Sequence, residues 1–264
     1  MADIWYYYSG SYIVLHNYDP SVVTPATKWS PGQHVCVNKT IRIEGRTLTL
    51  PADSTGLFYG MNCFEYGHYF SIIDASQCTN MTSLFENASL NTQIQTPDFS
   101  NWNVSNVTNM TRMFRGATVS GITKILCTNW NTSKVTNMSS MFASINNLTL
   151  LDLRGWDVSN VDNFDYMFYN NSSLRRIYTD ADADWEQYHS IHHDTDMFYL
   201  STNLPNYTYS DVKINRANTI YKYGYFDAEW KKQSVYIKEL DNWVETSNIK
   251  YKVNDSWQDV EVYK

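Results

Sequence analysis

Apolar positions in this chain come back in blocks. Trp102, Val107, Met110 and Phe114, separated by polar residues, are matched by Trp130, Val135, Met138 and Phe142, and again by Trp156, Val161, Phe164 and Phe168. The polar residues between them repeat as well: Asn103-Val104-Ser105-Asn106 becomes Asn131-Thr132-Ser133-Lys134 and then Asp157-Val158-Ser159-Asn160. The tryptophans step by 28 and then 26 residues, a period that belongs to solenoids and not to coiled coils or propeller blades. A partial earlier copy, Thr79-Asn80-Met81-Thr82-Ser83-Leu84-Phe85, sets a phenylalanine 29 residues before Phe114, and a decayed last copy ends in Asp196-Met197-Phe198.

Each unit divides into two predicted elements. Leu151-Asp152-Leu153 alternates apolar and polar residues, which predicts a short strand with its leucines inward. From Val161 through Phe164 and Met167 to Phe168 the spacing is 3-3-4 with its last member adjacent, which predicts a helical turn or short helix with one buried stripe. Thr108, Thr136 and Asp162 stand where they would cap such a turn. Asn109, Asn137 and Asn163 share one register and are expected to form an inward ladder bonded to backbone groups, with a solvated polar turn as the alternative. One unit cannot hide its apolar side alone, so neighbours must stack.

Outside the repeats the pattern changes. Ile4 to Tyr8 and Ser11 to His16 read as aromatic and β-branched strands around Ser9-Gly10, Thr40 to Leu50 alternates likewise, and Pro20, Pro25, Pro31 and Gly32 mark the loops between. In the tail, Ile237 to Trp243 is echoed by Tyr251 to Trp257, 14 residues on; each copy sets a strand, an Asp/Asn/Ser turn and a tryptophan opening the return strand. The expected fold is therefore mainly β with short helical turns: a β module over residues 1–68, a leucine-rich-repeat-like solenoid over 69–205, its closing segment over 206–230, and β-hairpins over 231–264.

The run Leu151-Asp152-Leu153-Arg154-Gly155-Trp156-Asp157-Val158-Ser159-Asn160-Val161, followed by Met167-Phe168 and Ser172-Ser173-Leu174, resembles the BspA-type leucine-rich repeat of bacterial surface proteins in its short Asn/Met-Phe version. Met197-Phe198-Tyr199 to Leu204-Pro205, then Tyr221 to Phe226, are similar to that family's closing segment. The likeness spans roughly residues 70 to 228, and three tandem copies make the motif specific. One departure is the cysteine that the family carries after Met-Phe; Ala117, Ile145 and Asn171 stand there instead. The tail looks like the hairpin repeats common at the C-termini of bacteriophage tail and appendage proteins.

Composition narrows the chemistry. Twenty Lys and Arg against 27 Asp and Glu give a formal charge of −7, which lacks the electrostatic footprint of a nucleic-acid binder. Aromatic residues make up 16% of the chain and charged residues 18%, a balance suited to extended structure and adhesive contacts. No basic n-region with an apolar stretch opens the chain, so export by a cleaved leader is not expected, and no run approaches a membrane span, so no membrane insertion is expected. Cys36, Cys63, Cys78 and Cys127 are expected as buried thiols.

Catalytic and metal motifs are weak. The string Asp180, Asp182, Asp184, with Glu186 beyond, lacks the glycine and terminal acid of a calcium loop (Trp185 and Ile191 stand there) and reads as an acidic turn. His189, His192 and His193 lack a completing ligand for zinc. Cys63 and His68 form a local pair without an orienting third group, there is no nucleophile elbow, and no phosphate-cradling loop occurs. Paired glycosidase carboxylates are not evident. The sequons at Asn80, Asn103, Asn106, Asn109 and Asn137 follow from the repeat consensus. No catalytic, cofactor or metal residue is assigned.

Together, the repeat, the tail and the signal-less start lead to the expectation of a non-enzymatic bacteriophage virion protein, a tail or head appendage or fibre. Its solenoid would mediate adhesion to a host-surface glycan or protein, and its partners would be other virion proteins or copies of itself. A bacterial cell-surface repeat adhesin is the alternative, and an appendage-borne glycan hydrolase the third. Outward strand positions Asp98, Leu126, Asp152 and Arg175, or tyrosines such as Tyr169, are the candidate ligand contacts.

Overall fold

The computed structural model describes residues 3–17, 26–66, 69–90, 98–118, 124–128, 130–145, 147–180, 193–205 and 207, together with the backbones of five later strands. Strands β1 (Trp5–Ser9), β2 (Tyr12–His16), β3 (Thr27–Lys28), β4 (Thr40–Ile43), β5 (Leu48–Thr49) and β6 (Cys63–Phe64) lead to a helical turn, α1 (Tyr69–Ile72). Then come β7 (Ile73–Asp74), β8 (Lys124–Leu126), β9 (Leu150–Asp152), β10 (Arg176–Asp180) and β11 (Phe226–Glu229). The chain is mainly β with almost no helix and forms a β-solenoid of about 6 turns.

Each coil places a short parallel strand on one side and a run of turns on the other. Strands β8, β9, β10 and β11 pair in parallel in that order. On the opposite side, Asp53, Asn80, Asn109, Asn137, Asn163 and His193 bridge in parallel from coil to coil. The 3-3-4 spacing read as a helix turns out to be overlapping four-residue turns. In the first complete repeat, Met113, Arg115 and Ala117 donate their amides to the carbonyls of Met110, Arg112 and Phe114. Arg112 and Gly116 take φ of 56° and 66°, which no α-helix contains. The remaining amides reach forward: Met110, Arg112, Phe114 and Gly116 donate to Asn137, Ser139, Met141 and Ala143 at 2.8 to 2.9 Å. Thr111 N–H bonds the Oδ1 of Asn109, so every amide from Met110 to Ala117 is satisfied.

A continuous core fills the space between the two sides. Phe58, Phe85, Phe114, Phe142, Phe168 and Phe198 form a column of near-parallel rings, with neighbouring planes 1° to 12° apart. Trp102, Trp130 and Trp156 are buried, and each indole N–H bonds a carbonyl at the start of the coil before it: Phe70, Phe99 and Cys127. Val107, Met110, Val135, Met138, Val161 and Phe164 are buried in the same cluster.

The polar positions differ from expectation. Asn109, Asn137 and Asn163 are half-buried rather than inward. Their Oδ1 atoms accept the amide two residues on, from Thr111, Ser139 and Asp165, while their backbones form the ladder. Thr108 and Thr136 do not cap a helix; their hydroxyls donate back to the carbonyls of Thr79 and Thr108 in the preceding coil. The buried asparagine is Asn171, where the resembling family has cysteine. It is fully enclosed, accepts the amide of Ile145 and donates to the carbonyls of Phe142 and Phe168.

At the N-terminal end β1 and β2 form an antiparallel hairpin, and β4 and β6 continue the sheet in parallel. The coil ladder extends upstream of the repeats legible in the sequence: Ser54, Gly56, Phe58 and Gly60 donate to Asn80, Thr82, Leu84 and Glu86. Residues from Trp230 onward separate as a second compact unit. In it, β12 (Tyr236–Glu239) pairs with β13 (Asn242–Glu245), and β14 (Lys250–Val253) with β15 (Ser256–Asp259). These are two antiparallel hairpins with the 14-residue offset seen in the sequence.

Candidate functional site

Because every coil spends its apolar residues on stacking, whatever this unit recognises must meet the outward side chains of the strand side or the turn side. On the strand side, register places Lys124, Leu150 and Arg176 in one row and Leu126, Asp152 and Tyr178 in the next. Asp98 and Arg175 are exposed and Leu126 is half-buried. Asp152 is not outward: it is 4% exposed, and its carboxylate is gripped by the Arg154 guanidinium at 2.8 and 2.5 Å. Hydrogen bonding to Asp152 in turn raises the pKa of Arg154 further above its ordinary value. The sequence pattern missed this because the partner sits two residues along on the same side. The Arg154 guanidinium also lies 6.0 Å from the centre of the Tyr178 ring.

On the turn side the outward positions form columns fixed by the backbone ladder. The first positive-φ position of each coil is Gly56, Ser83, Arg112, Ser140, Tyr166 and Asp196 in turn. Three residues on, the column reads Tyr59, Glu86, Arg115, Ala143, Tyr169 and Tyr199. Arg115 bonds Glu86 across the coil step at 2.8 Å, and Ser83 holds the same carboxylate from its own coil. Tyr169 is half-buried, parallel to Tyr199 with centroids 6.0 Å apart, and meets Tyr166 edge-on at 5.6 Å. At the other end of the column, His34 stacks on Tyr59 at 3.9 Å.

The residues singled out for chemistry are scattered. Cys36, Cys78 and Cys127 are buried and Cys63 is half-buried. Burial pushes the thiols of Cys36 and Cys127 well above their ordinary range and that of Cys78 up to about 11, so they stay protonated and unreactive near neutral pH. His68 lies outside the described residues, as do Asp182, Asp184, Glu186, His189 and His192. Asp180 accepts the amide of Gly155, and His193 lies 3.8 Å from Asp165. Among the described residues no group of three His, Cys, Asp or Glu converges as a metal site, and no helix is long and apolar enough to cross a membrane.

The profile of a family described as "Mycoplasma protein of unknown function, DUF285" matches the chain over residues 52–120 and 79–211. These two spans include all the stacked coils from the one opening at Asp53 to the one opening at His193. No curated protein and no solved structure matches the chain.

Proposed function

We propose an adhesive, non-enzymatic role, taking as premise that the chain belongs to the DUF285 family, which is associated with BspA-like repeat proteins. The observation that carries this reading is the ladder itself. It holds outward side chains of successive coils in fixed register, at steps of about 4.8 Å, so that an ordered array of Arg, Ser and Tyr is presented at little entropic cost on binding. Such an array suits a glycan or protein on a host surface. The test is direct: purified chain is incubated with intact host cells and with mucin, and the bound fraction is measured. Saturable binding supports the role, and absence of binding to either surface removes it.

Within that role the carrier is a bacteriophage tail or head appendage, a reading supported by the paired C-terminal hairpins with their 14-residue offset. Partners are then other virion proteins or further copies of the chain. A bacterial cell-surface adhesin is the second reading, and the family match favours it. Mass spectrometry of purified particles against a surface fraction from prophage-free cells separates the two by where the chain is found.

A further inference from the structure

Compared across copies, buried positions of the repeat keep their chemistry while the outward turn positions do not, and in the middle of the solenoid the change is abrupt. The coil over 109–116 carries Arg112 and Arg115, both exposed. The next coil carries only Ser139, Ser140, Ala143 and Ser144 at the corresponding positions, and the third carries Tyr166 and Tyr169. The ladder from Arg112 N–H to Ser139 and from Ser140 N–H to Asp165 fixes this order. A floor of small side chains is thus flanked by an arginine wall and a tyrosine wall. The outer backbones stand two coil steps apart, about 10 Å.

Arg112 and Tyr166 border this floor and are both exposed. Ala143 is buried, so the accessible floor is Ser139, Ser140 and Ser144, each half-buried, beside Tyr166 at 38% exposure. Tyr199 covers Tyr169 on one side, and the residue in register on the other is Ala143. Arg115 is shared with Glu86, but among the described residues the Arg112 guanidinium has no ion pair. The nearest acid on the tyrosine wall, Asp165, is turned to the following coil, where it accepts the amide of Thr195 and approaches His193.

We infer that this groove binds a polysaccharide containing uronic acid. The proposal rests on the adhesive reading and names its ligand class. Tyrosine rings take the apolar face of a pyranose, and a guanidinium takes a carboxylate in a two-pronged hydrogen bond that an ammonium cannot match. Arg112 and Tyr166, in one register on either side of Ser140, suit one uronate of a linear chain. In a chain of charge −7, the Arg112 guanidinium beside an uncharged floor is a local site for an anion.

The test is calorimetric titration of the intact protein with tetragalacturonate, with maltotetraose as the uncharged counterpart and sialyllactose as a carboxylated terminal sugar. Tetragalacturonate binds, and its affinity falls steeply as salt rises from about 0.05 to about 0.5 M. Arg112→Gln and Tyr166→Ala each weaken binding about tenfold or more. Ser140→Tyr fills the floor and abolishes binding while the melting temperature stays near that of the parent protein, because Tyr166 already occupies the same positive-φ register. Failure to bind tetragalacturonate, equal affinity for maltotetraose, binding to sialyllactose alone, or undiminished binding by Ser140→Tyr would each overturn the inference. If Ser140→Tyr protein binds host cells as the parent does, the groove is overturned and the adhesive role stands. If the parent binds neither cells nor mucin, the role itself falls.

Discussion

The ring of Phe142 lies 1° from parallel with that of Phe168, with centroids 6.0 Å apart, and both are fully buried. They are neighbours in a column that runs through all the coils, and each ring packs against equivalents on both sides. Truncating Phe142 therefore opens a cavity that no solvent-facing group can collapse to fill. Phe142→Ala is expected to cost about 3–5 kcal/mol, read as a shift in the urea midpoint. A cost below about 1 kcal/mol would mean that the column does not hold the coils together.

Gly116 and Arg112 occupy two positive-φ positions of one coil, and they respond oppositely to substitution. A Cβ at Gly116 would stand 2.4 Å from the Asn87 Oδ1 and would also have to tolerate φ of +66°. Gly116→Ala is expected to destabilise by about 1–3 kcal/mol, from left-handed strain plus displacement of Asn87. Arg112→Gly relieves the same strain in the folded state at an exposed site. Its effect is expected to fall within about 1 kcal/mol of zero, since glycine also loosens the unfolded chain. Thermal melts of the two variants check the contrast.

Thiol reactivity separates the cysteines. Cys36, Cys78 and Cys127 are enclosed and their thiols are raised by burial, so at pH 8 a colourimetric thiol reagent should modify Cys63 first. All four should react in denaturant. Fast titration of more than one thiol in the native protein would contradict the enclosed packing.

The N-terminal sheet carries an acid-sensitive pair. Arg42 binds both oxygens of Glu65 at 2.6 and 2.7 Å, and this hydrogen bonding holds the Glu65 carboxyl below its usual range. A lowered folded value means the pair adds stability above the unfolded carboxylate pKa of about 4.3 and loses it as pH falls through the folded value. Glu65→Gln should flatten the acid limb of the stability profile and change stability at pH 7 little, because the Arg42 partner is partly exposed. An acid limb as steep in the variant as in the parent would assign that limb to other carboxylates.

Much of this architecture is legible in the sequence because stacking demands the same apolar residue at the same place in every coil; Trp102, Trp130 and Trp156 announce the period. Legibility ends where geometry can be met by other residues. The coil over 53–60 is not legible because it has Asp53 and Ser54 where the legible copies have asparagine followed by methionine or phenylalanine. The turn run was read as helical because successive turns and a helix bury residues at nearly the same spacing. The positive φ at Tyr166 and Asn170, and their amides reaching the next coil, tell them apart. Asp152 was read as outward because strand alternation carries no information about an arginine able to fold back over a carboxylate. The groove floor is not legible because serines and an alanine signal nothing singly; their meaning comes from Arg112 and Tyr166, which the ladder sets beside them.

The claim on which the account depends is that coils stack as interchangeable units in one register, and deletion tests it most directly. Removing residues 137–162 joins Thr136 to Asn163 and excises one coil; removing 137–149 excises about half of one. The first variant should keep a β-rich circular dichroism spectrum and a cooperative melt at lower temperature, as nearest-neighbour stacking requires, while the second should lose both. Equal disruption by the two deletions, or survival of the half-coil variant alone, would contradict the stacked solenoid.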